Sequence, residues 1–374
     1  MATVILKATE ACNSACAYCD VVRKPKAGPP AMSLAVLEQV FVRADELLRA
    51  HPDEELELVW HGGEPLLLGP AFFDAALALQ ERHCATTKGR LRHDIQTNLS
   101  LFSRDFARIF RALGMDGIGT SYDPIAGVRG PGATPDTAAY NARFMRGVAL
   151  LEEEGFGWGV IYVVTRLALA RPLDVFHFMT NLKPDGAVNF HPVLVYGEDE
   201  RGLAITPEEF ADFLGALAPV WWRHRDRYRE VEPFRSFLRN ALEGPCSLGC
   251  VDAGDCGTSH WNIAPDGRVS HCGRSADWGL LDYGSIFDRS LAQMRTDPQR
   301  GAFAARDRRL PAAECAGCRL WGICHGGCAL DSWAVTRSLE HRTPWCAAKR
   351  RFIERHFEPL TGLRFDLAAP AVAP

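Results

Sequence analysis

Three cysteines near the start of the chain, Cys12, Cys16 and Cys19, are spaced closely enough for their thiolates to share one inorganic group. Three thiolates hold three irons of a [4Fe–4S] cube and leave the fourth iron open, so a small molecule can bind there and be reduced. A zinc knuckle, or three unrelated thiols, would use the same residues for less. Nine more cysteines follow residue 240: Cys246, Cys250, Cys256, Cys272, Cys315, Cys318, Cys324, Cys328 and Cys346. With Cys84 the total is 13, and in a reducing compartment metal ligation explains such a number better than disulfides do.

Residues of this kind act only if the fold brings them together. Short apolar, β-branched runs at 3–7, 56–61, 92–97, 117–121, 159–164 and 187–192 read as strands. Amphipathic patterns near 33–50, 70–84, 103–113, 137–155, 172–182 and 207–228 read as helices between them. Six β-α units in a row imply an α/β fold with a parallel sheet and right-handed crossovers, a partial (β/α)6 barrel rather than a closed eight-unit one. The polar groups fall just after strands: the cysteine triad, then Gly62-Gly63-Glu64-Pro65, Gln96-Thr97-Asn98 and Ser121-Tyr122-Asp123. Catalytic groups of parallel β/α barrels gather at the C-terminal strand ends, so one barrel mouth receives all four.

The predicted domains are a barrel over residues 1–235, a small cysteine-rich domain over 236–360 and a disordered tail over 361–374. The net charge of −4 argues against a dedicated nucleic-acid binder. No apolar run is long enough to span a bilayer, and no secretory signal precedes Cys12. A cytoplasmic protein without membrane or nucleic-acid partners is expected.

The spacing C-x3-C-x2-C, with Tyr18 just before the third Cys, resembles the radical S-adenosylmethionine (radical SAM) superfamily. That resemblance implies a [4Fe–4S] cluster on Cys12, Cys16 and Cys19 whose open iron chelates SAM, cleaved by one electron to a 5′-deoxyadenosyl radical. Gly62, Gly63, Glu64 and Pro65 match the family's GGE motif, where a backbone carbonyl or the Glu64 carboxylate accepts from the SAM ammonium. A tight turn after a strand is the alternative. Ser121 and Asp123 fall where family members contact the SAM carboxylate and ribose, unless they are only a turn or helix cap. Arg129 could grip the carboxylate in a bidentate pair. Gln96 and Asn98 are further cofactor neighbours.

Cys315-x2-Cys318-x5-Cys324-x3-Cys328, with Cys346 beyond and Cys250-x5-Cys256 and Gly267-x4-Cys272 upstream, resembles the SPASM domain of peptide-modifying radical SAM enzymes. The resemblance assigns one auxiliary [4Fe–4S] cluster to Cys250, Cys256, Cys272 and Cys328, and a second to Cys315, Cys318, Cys324 and Cys346. Cys246 is an alternative to Cys250, and Cys84 reads as a small buried residue. One structural zinc on Cys315, Cys318, Cys324 and Cys328 would leave the other four without a role.

The implied function is a two-electron oxidation of a ribosomally made peptide, such as a C–C cyclophane cross-link, with an auxiliary cluster taking the second electron. The precursor peptide, a flavodoxin or ferredoxin as electron donor and a separate leader-binding protein are the implied partners, since no peptide-binding domain fits before Cys12. Anaerobic sulfatase-maturating enzymes carry an Asp base directly after the Cys of the Gly-x4-Cys element; Gly273 stands there, which argues against that activity. Asp252, Asp255, Asp277 and Tyr283 are alternative proton acceptors. A radical SAM dehydrogenase acting on a small alcohol or sugar, and a non-catalytic metal-binding scaffold, are the rival readings.

Overall fold

The computed structural model describes residues 1–19, 30–183, 187–195, 198–199 and 201–368. The chain separates into two compact units, Met1–Gly159 with Thr258–Gly301, and Val160–Gly257 with Ala302–Pro374.

The first unit opens with β1 (Ala2–Thr9), β2 (Leu56–Gly62), β3 (Leu91–Thr97) and β4 (Gly117–Ser121), each paired in parallel with the next. Parallel neighbours need crossovers, supplied by α1 (Leu34–Ala50), α2 (Pro70–His83) and α3 (Arg104–Ala112); α4 (Thr137–Glu153) follows β4. Ser33 caps α1 by accepting from the Val36 amide, and Asp136 caps α4 through Ala139. Leu56, Leu58 and Trp60 alternate along β2 and are fully buried. Trp60, Phe73 and Phe110 pack with ring centroids 5.1 and 5.4 Å apart, anchoring α2 and α3 to the sheet. Trp60 Nε1 donates to His93 Nδ1 at 3.1 Å, so Nε2 of the neutral ring donates to Gln80 Oε1 at 2.5 Å. Burial holds His93 down at about 3.

The division between the units falls within β5 (Gly157–Val164). In the second unit, β6 (Ala187–Pro192) pairs in parallel with the two-residue β7 (Val231–Glu232). Its helices include α5 (Pro172–Leu182), α6 (Pro207–Arg223) and α7 (Phe234–Glu243). Of the aromatic pair that ends α6, Trp221 is buried and donates to the Tyr228 carbonyl, while Trp222 carries Arg225 over its ring at 4.1 Å. Phe234 and Phe237 pack on Phe352 of the helix Cys346–Phe352.

The chain returns to the first unit through three strands with no sequence counterpart above: β8 (His260–Ile263), β9 (Arg268–Ser270) and β10 (Asp282–Ser285). Strand β8 joins the free edge of β1 in parallel, and β9 and β10 continue antiparallel, giving the order β10-β9-β8-β1-β2-β3-β4. The six predicted strands and six predicted helices all form, within a few residues of their expected bounds. Of the segment 361–374, predicted to be a disordered tail, residues through 368 are placed: Phe365 is buried, and Leu367 exchanges backbone bonds with Arg319 and Gly322. The last six lie outside the described residues.

Candidate functional site

The cysteine loop leaves β1 and is held mostly by main chain. The Gly63 amide donates to the Thr9 carbonyl and the Glu64 amide to that of Ala11, each at 2.8 Å. The Ala15 amide reaches the Gly130 carbonyl at 2.7 Å, and that of Ala17 the Val128 carbonyl at 2.8 Å. From β3, Asn98 donates to the Asn13 side chain, which itself donates to Ser100, both at 2.8 Å. The loop is thus held by residues that follow β1, β2, β3 and β4 in the chain.

Gly62 and Gly63 make this possible by lacking a side chain. A Cβ on Gly62 would stand 2.1 Å from the Thr9 carbonyl oxygen, and one on Gly63 2.1 Å from that of Ala11. The close approach is to the cysteine loop itself. Glu64 is likewise turned inward: it is 1% exposed and accepts from the Leu66 amide, the Thr97 hydroxyl and the Asn98 amide at 3.0, 2.7 and 2.7 Å. Its carboxylate locks the ends of β2 and β3 together, with Pro65 opening the 3₁₀ turn beside it.

The sequence predicts a carboxylate clamp at Arg129, and the geometry gives that residue other work. Arg129 is 7% exposed; its Nε donates to the Tyr18 hydroxyl at 2.8 Å and lies 3.0 Å from Asp123 Oδ2. Its Nη1 donates to the Ser121 carbonyl at 2.5 Å and the Tyr140 hydroxyl at 2.6 Å. Tyr18 closes the ring by donating to Asp123 at 2.5 Å. A buried cation survives because a carboxylate and hydroxyls replace its water. Ser121 keeps a half-buried side chain that accepts from Gln96 at 2.9 Å.

Burial pushes Cys12 up to about 12, with Glu64, Cys16 and Cys19 adding to the rise. Cys16 is raised for the same first reason, and the Arg129 cation pulls it back. Crowded thiols whose negative charges penalise one another fit a cationic iron group, which makes thiolates of them on binding.

Near this loop Lys7, 5% exposed in β1, pairs with Glu10 at 3.2 Å and Asp277 at 2.6 Å. Neither Lys7 nor Tyr140 was among the predicted site residues, although a lysine inside an apolar strand signals a buried partner. Among the candidate proton acceptors, Asp277 ends the short helix Gly273–Asp277 that Cys272 caps, and Tyr283 is buried with Arg300 over its ring at 5.3 Å. Asp252 belongs to the second unit and is paired with Lys349.

In the second unit, Cys315, Cys318, Cys324 and Cys346 line one cavity of about 330 Å³. Burial pushes Cys315 up to about 11, and the other three thiols add to it. Cys250, Cys256 and Cys328 line another cavity with Arg306 and Asp307. Cys246 donates to Glu243 at 3.4 Å and is not among the residues lining that cavity. Cys272 belongs to the first unit and remains a sequence-based expectation as fourth ligand. Cys84 is fully buried, donating to the Phe41 carbonyl at 3.5 Å. Among the described residues no three His, Cys, Asp or Glu side chains converge on a single-ion site.

A parallel α/β sheet with a cysteine triad at its strand ends defines the radical SAM class, and residues 6–178 match the radical SAM superfamily. Over that span the chain is similar to a class of enzymes that use SAM and a [4Fe–4S] cluster. It is similar to the serine-type anaerobic sulfatase-maturating enzyme of Bacteroides thetaiotaomicron, 24% identical over 88% of this chain and 82% of that one. The enzyme of the same name from Klebsiella aerogenes is 28% identical over 96% of this chain and 85% of that one. The solved structure of native anSMEcpe with bound AdoMet and Cp18Cys peptide superposes with a TM-score of 0.81 at 20% identity, covering 96% and 98% of the two chains. That likeness shows the fold, a partial barrel followed by a cysteine-rich region. No helix among the described residues is long and apolar enough to cross a membrane.

Proposed function

We propose that the protein oxidises a residue of a peptide substrate by two electrons, with Cys12, Cys16 and Cys19 holding the SAM-binding cluster. The hold on the cysteine loop by residues that follow four strands carries this reading. When bound, the cluster and SAM supply a 5′-deoxyadenosyl radical able to abstract an unactivated hydrogen. The chain's own part is positioning. Glu64, Gly62 and Gly63 fix the loop, and the Tyr18–Asp123–Arg129 network braces its far side. Ser121, Gln96 and Asn98 remain the side chains best disposed to meet SAM.

Asp277, oriented by Lys7, is the proposed proton acceptor in place of the Asp that sulfatase-maturating enzymes carry where Gly273 stands. Cys315, Cys318, Cys324 and Cys346 hold one auxiliary cluster, and Cys250, Cys256 and Cys328, with Cys272 by sequence, hold another. Clusters held there would supply an acceptor for the second electron. A peptide substrate is supported by the sulfatase-maturating relatives and by the peptide bound in the anSMEcpe structure. Single-residue oxidation follows those relatives, whereas a cross-link rests on the sequence resemblance alone. Thirteen free thiols suit the reducing cytoplasm, where a flavodoxin or ferredoxin would supply the first electron.

The test is anaerobic incubation of reconstituted protein with SAM, reductant and a candidate peptide, read by mass spectrometry. Loss of two hydrogens that depends on Cys12 supports the reading. A hydrazide-reactive product is a new carbonyl on one residue; resistance to fragmentation between two residues is a cross-link. Abundant 5′-deoxyadenosine with every peptide unchanged overturns the peptide assignment.

A further inference from the structure

Arg306 lies beside one group of cysteines in the second unit and bonds the segment that joins it to the other. It is 7% exposed, lines the cavity of Cys250, Cys256 and Cys328, and reaches into the His325-Gly326-Gly327 segment that separates Cys324 from Cys328. Nη1 donates to the Gly327 carbonyl at 2.9 Å and the His325 carbonyl at 3.4 Å. Nη2 donates to the Gly326 carbonyl at 3.0 Å and, with Nε, to the His341 carbonyl at 2.6 and 3.2 Å. The segment can turn its oxygens this way because all three residues have positive φ, 49°, 75° and 70°. Every hydrogen-bond partner of Arg306 among the described residues is a carbonyl, so no carboxylate neutralises it. Burial pulls its guanidinium down, and the thiols of Cys328, Cys256, Cys315 and Cys324 pull it back, so both cysteine groups feel the same charge.

We propose that Arg306 is a positioning residue shared by both auxiliary-cluster sites, whose uncompensated cation makes either cluster easier to reduce while its N–H groups fix the Cys324–Cys328 connection. This rests on the cluster assignments made above. Reduction of either cluster would add one electron, supplied in the proposed reaction by the substrate radical left after hydrogen abstraction and in the test by dithionite, and would deepen the cluster's negative charge. A buried cation favours that more negative state. A purely structural Arg would supply donors and have no effect on the potential.

The test uses full-length protein carrying Cys12→Ala, Cys16→Ala and Cys19→Ala, so that only auxiliary clusters load, with Arg306→Gln or Arg306→Lys added. Dithionite titrations followed by electron paramagnetic resonance read the potentials. R306Q is expected to disfavour reduction of both clusters about tenfold, ~59 mV for one electron, with R306K near the parent. Loaded R306Q with unchanged potentials overturns the proposal. If R306Q fails to load, R306K decides: parent-like potentials support the charge role, and an unloaded or shifted R306K overturns it. A parent that binds no auxiliary cluster would refute the cluster assignments instead.

Discussion

Each cysteine region is built around a buried arginine, and the two are neutralised differently. In the first unit Arg129 is met by Asp123, two tyrosine hydroxyls and one carbonyl. In the second Arg306 is met by carbonyls alone. A carboxylate cancels the cation, leaving Arg129 mainly architectural, while carbonyl dipoles share the positive charge of Arg306 without cancelling it. The difference suits the proposed reaction: a cluster giving an electron to SAM would gain nothing from a strong uncompensated cation, whereas one taking an electron would.

The sharpest way to break this contrast is to remove one cysteine from each region. Cys12→Ala is expected to bring 5′-deoxyadenosine formation to background, whereas Cys315→Ala should leave it and abolish peptide oxidation; chromatography of both products checks this. Equal loss from both variants would end the division of labour. Arg129→Met comes next, stranding Asp123 in a buried site, at an expected cost of about 3–5 kcal/mol in denaturant unfolding. Adding Asp123→Asn should recover part of that loss.

Gly63→Ala is expected to cost about 1–3 kcal/mol and to lower iron occupancy of the first site only, since its Cβ would collide with the Ala11 carbonyl. Gly89→Ala, with nothing within 4 Å of the new Cβ, is the control and should be silent in iron content.

A last contrast concerns pH and separates the units by acid sensitivity. Burial holds His93 and His271, both in the first unit, at about 3 from an ordinary 6.5. Between those values the unfolded chain binds more protons than the folded one, so stability falls as pH drops, by up to about 1.4 kcal/mol per unit for each histidine. Hydrogen exchange should show the first unit losing protection before the second, and His93→Gln should flatten its slope.

The regular part of the fold was legible because its strands and helices carry clean periods: the expected strand 117–121 and helix 172–182 coincide with those observed. Strands β8 to β10 leave no sequence signal because three or four residues carry no period, and the glycines and cysteines that flank them read as loop. Residue types at the site were also legible, but their direction was not. Spacing places Glu64 and Arg129 at the barrel mouth; only packing shows that both turn inward. Arg306 carried no motif, since its role depends on carbonyls gathered by three left-handed residues far along the chain.

The cysteine loop is docked to its neighbours through amides and carbonyls at Thr9, Ala11, Ala15 and Ala17, bonds that involve backbone atoms alone. Mutational tolerance should therefore be sharply uneven. In a saturation library selected for iron binding, Ala15 and Ala17 would accept small replacements, while Gly62 and Gly63 would be as intolerant as the cysteines they support. Sequence drift in this loop is confined by the shape of the backbone more than by the chemistry of the residues between the ligands.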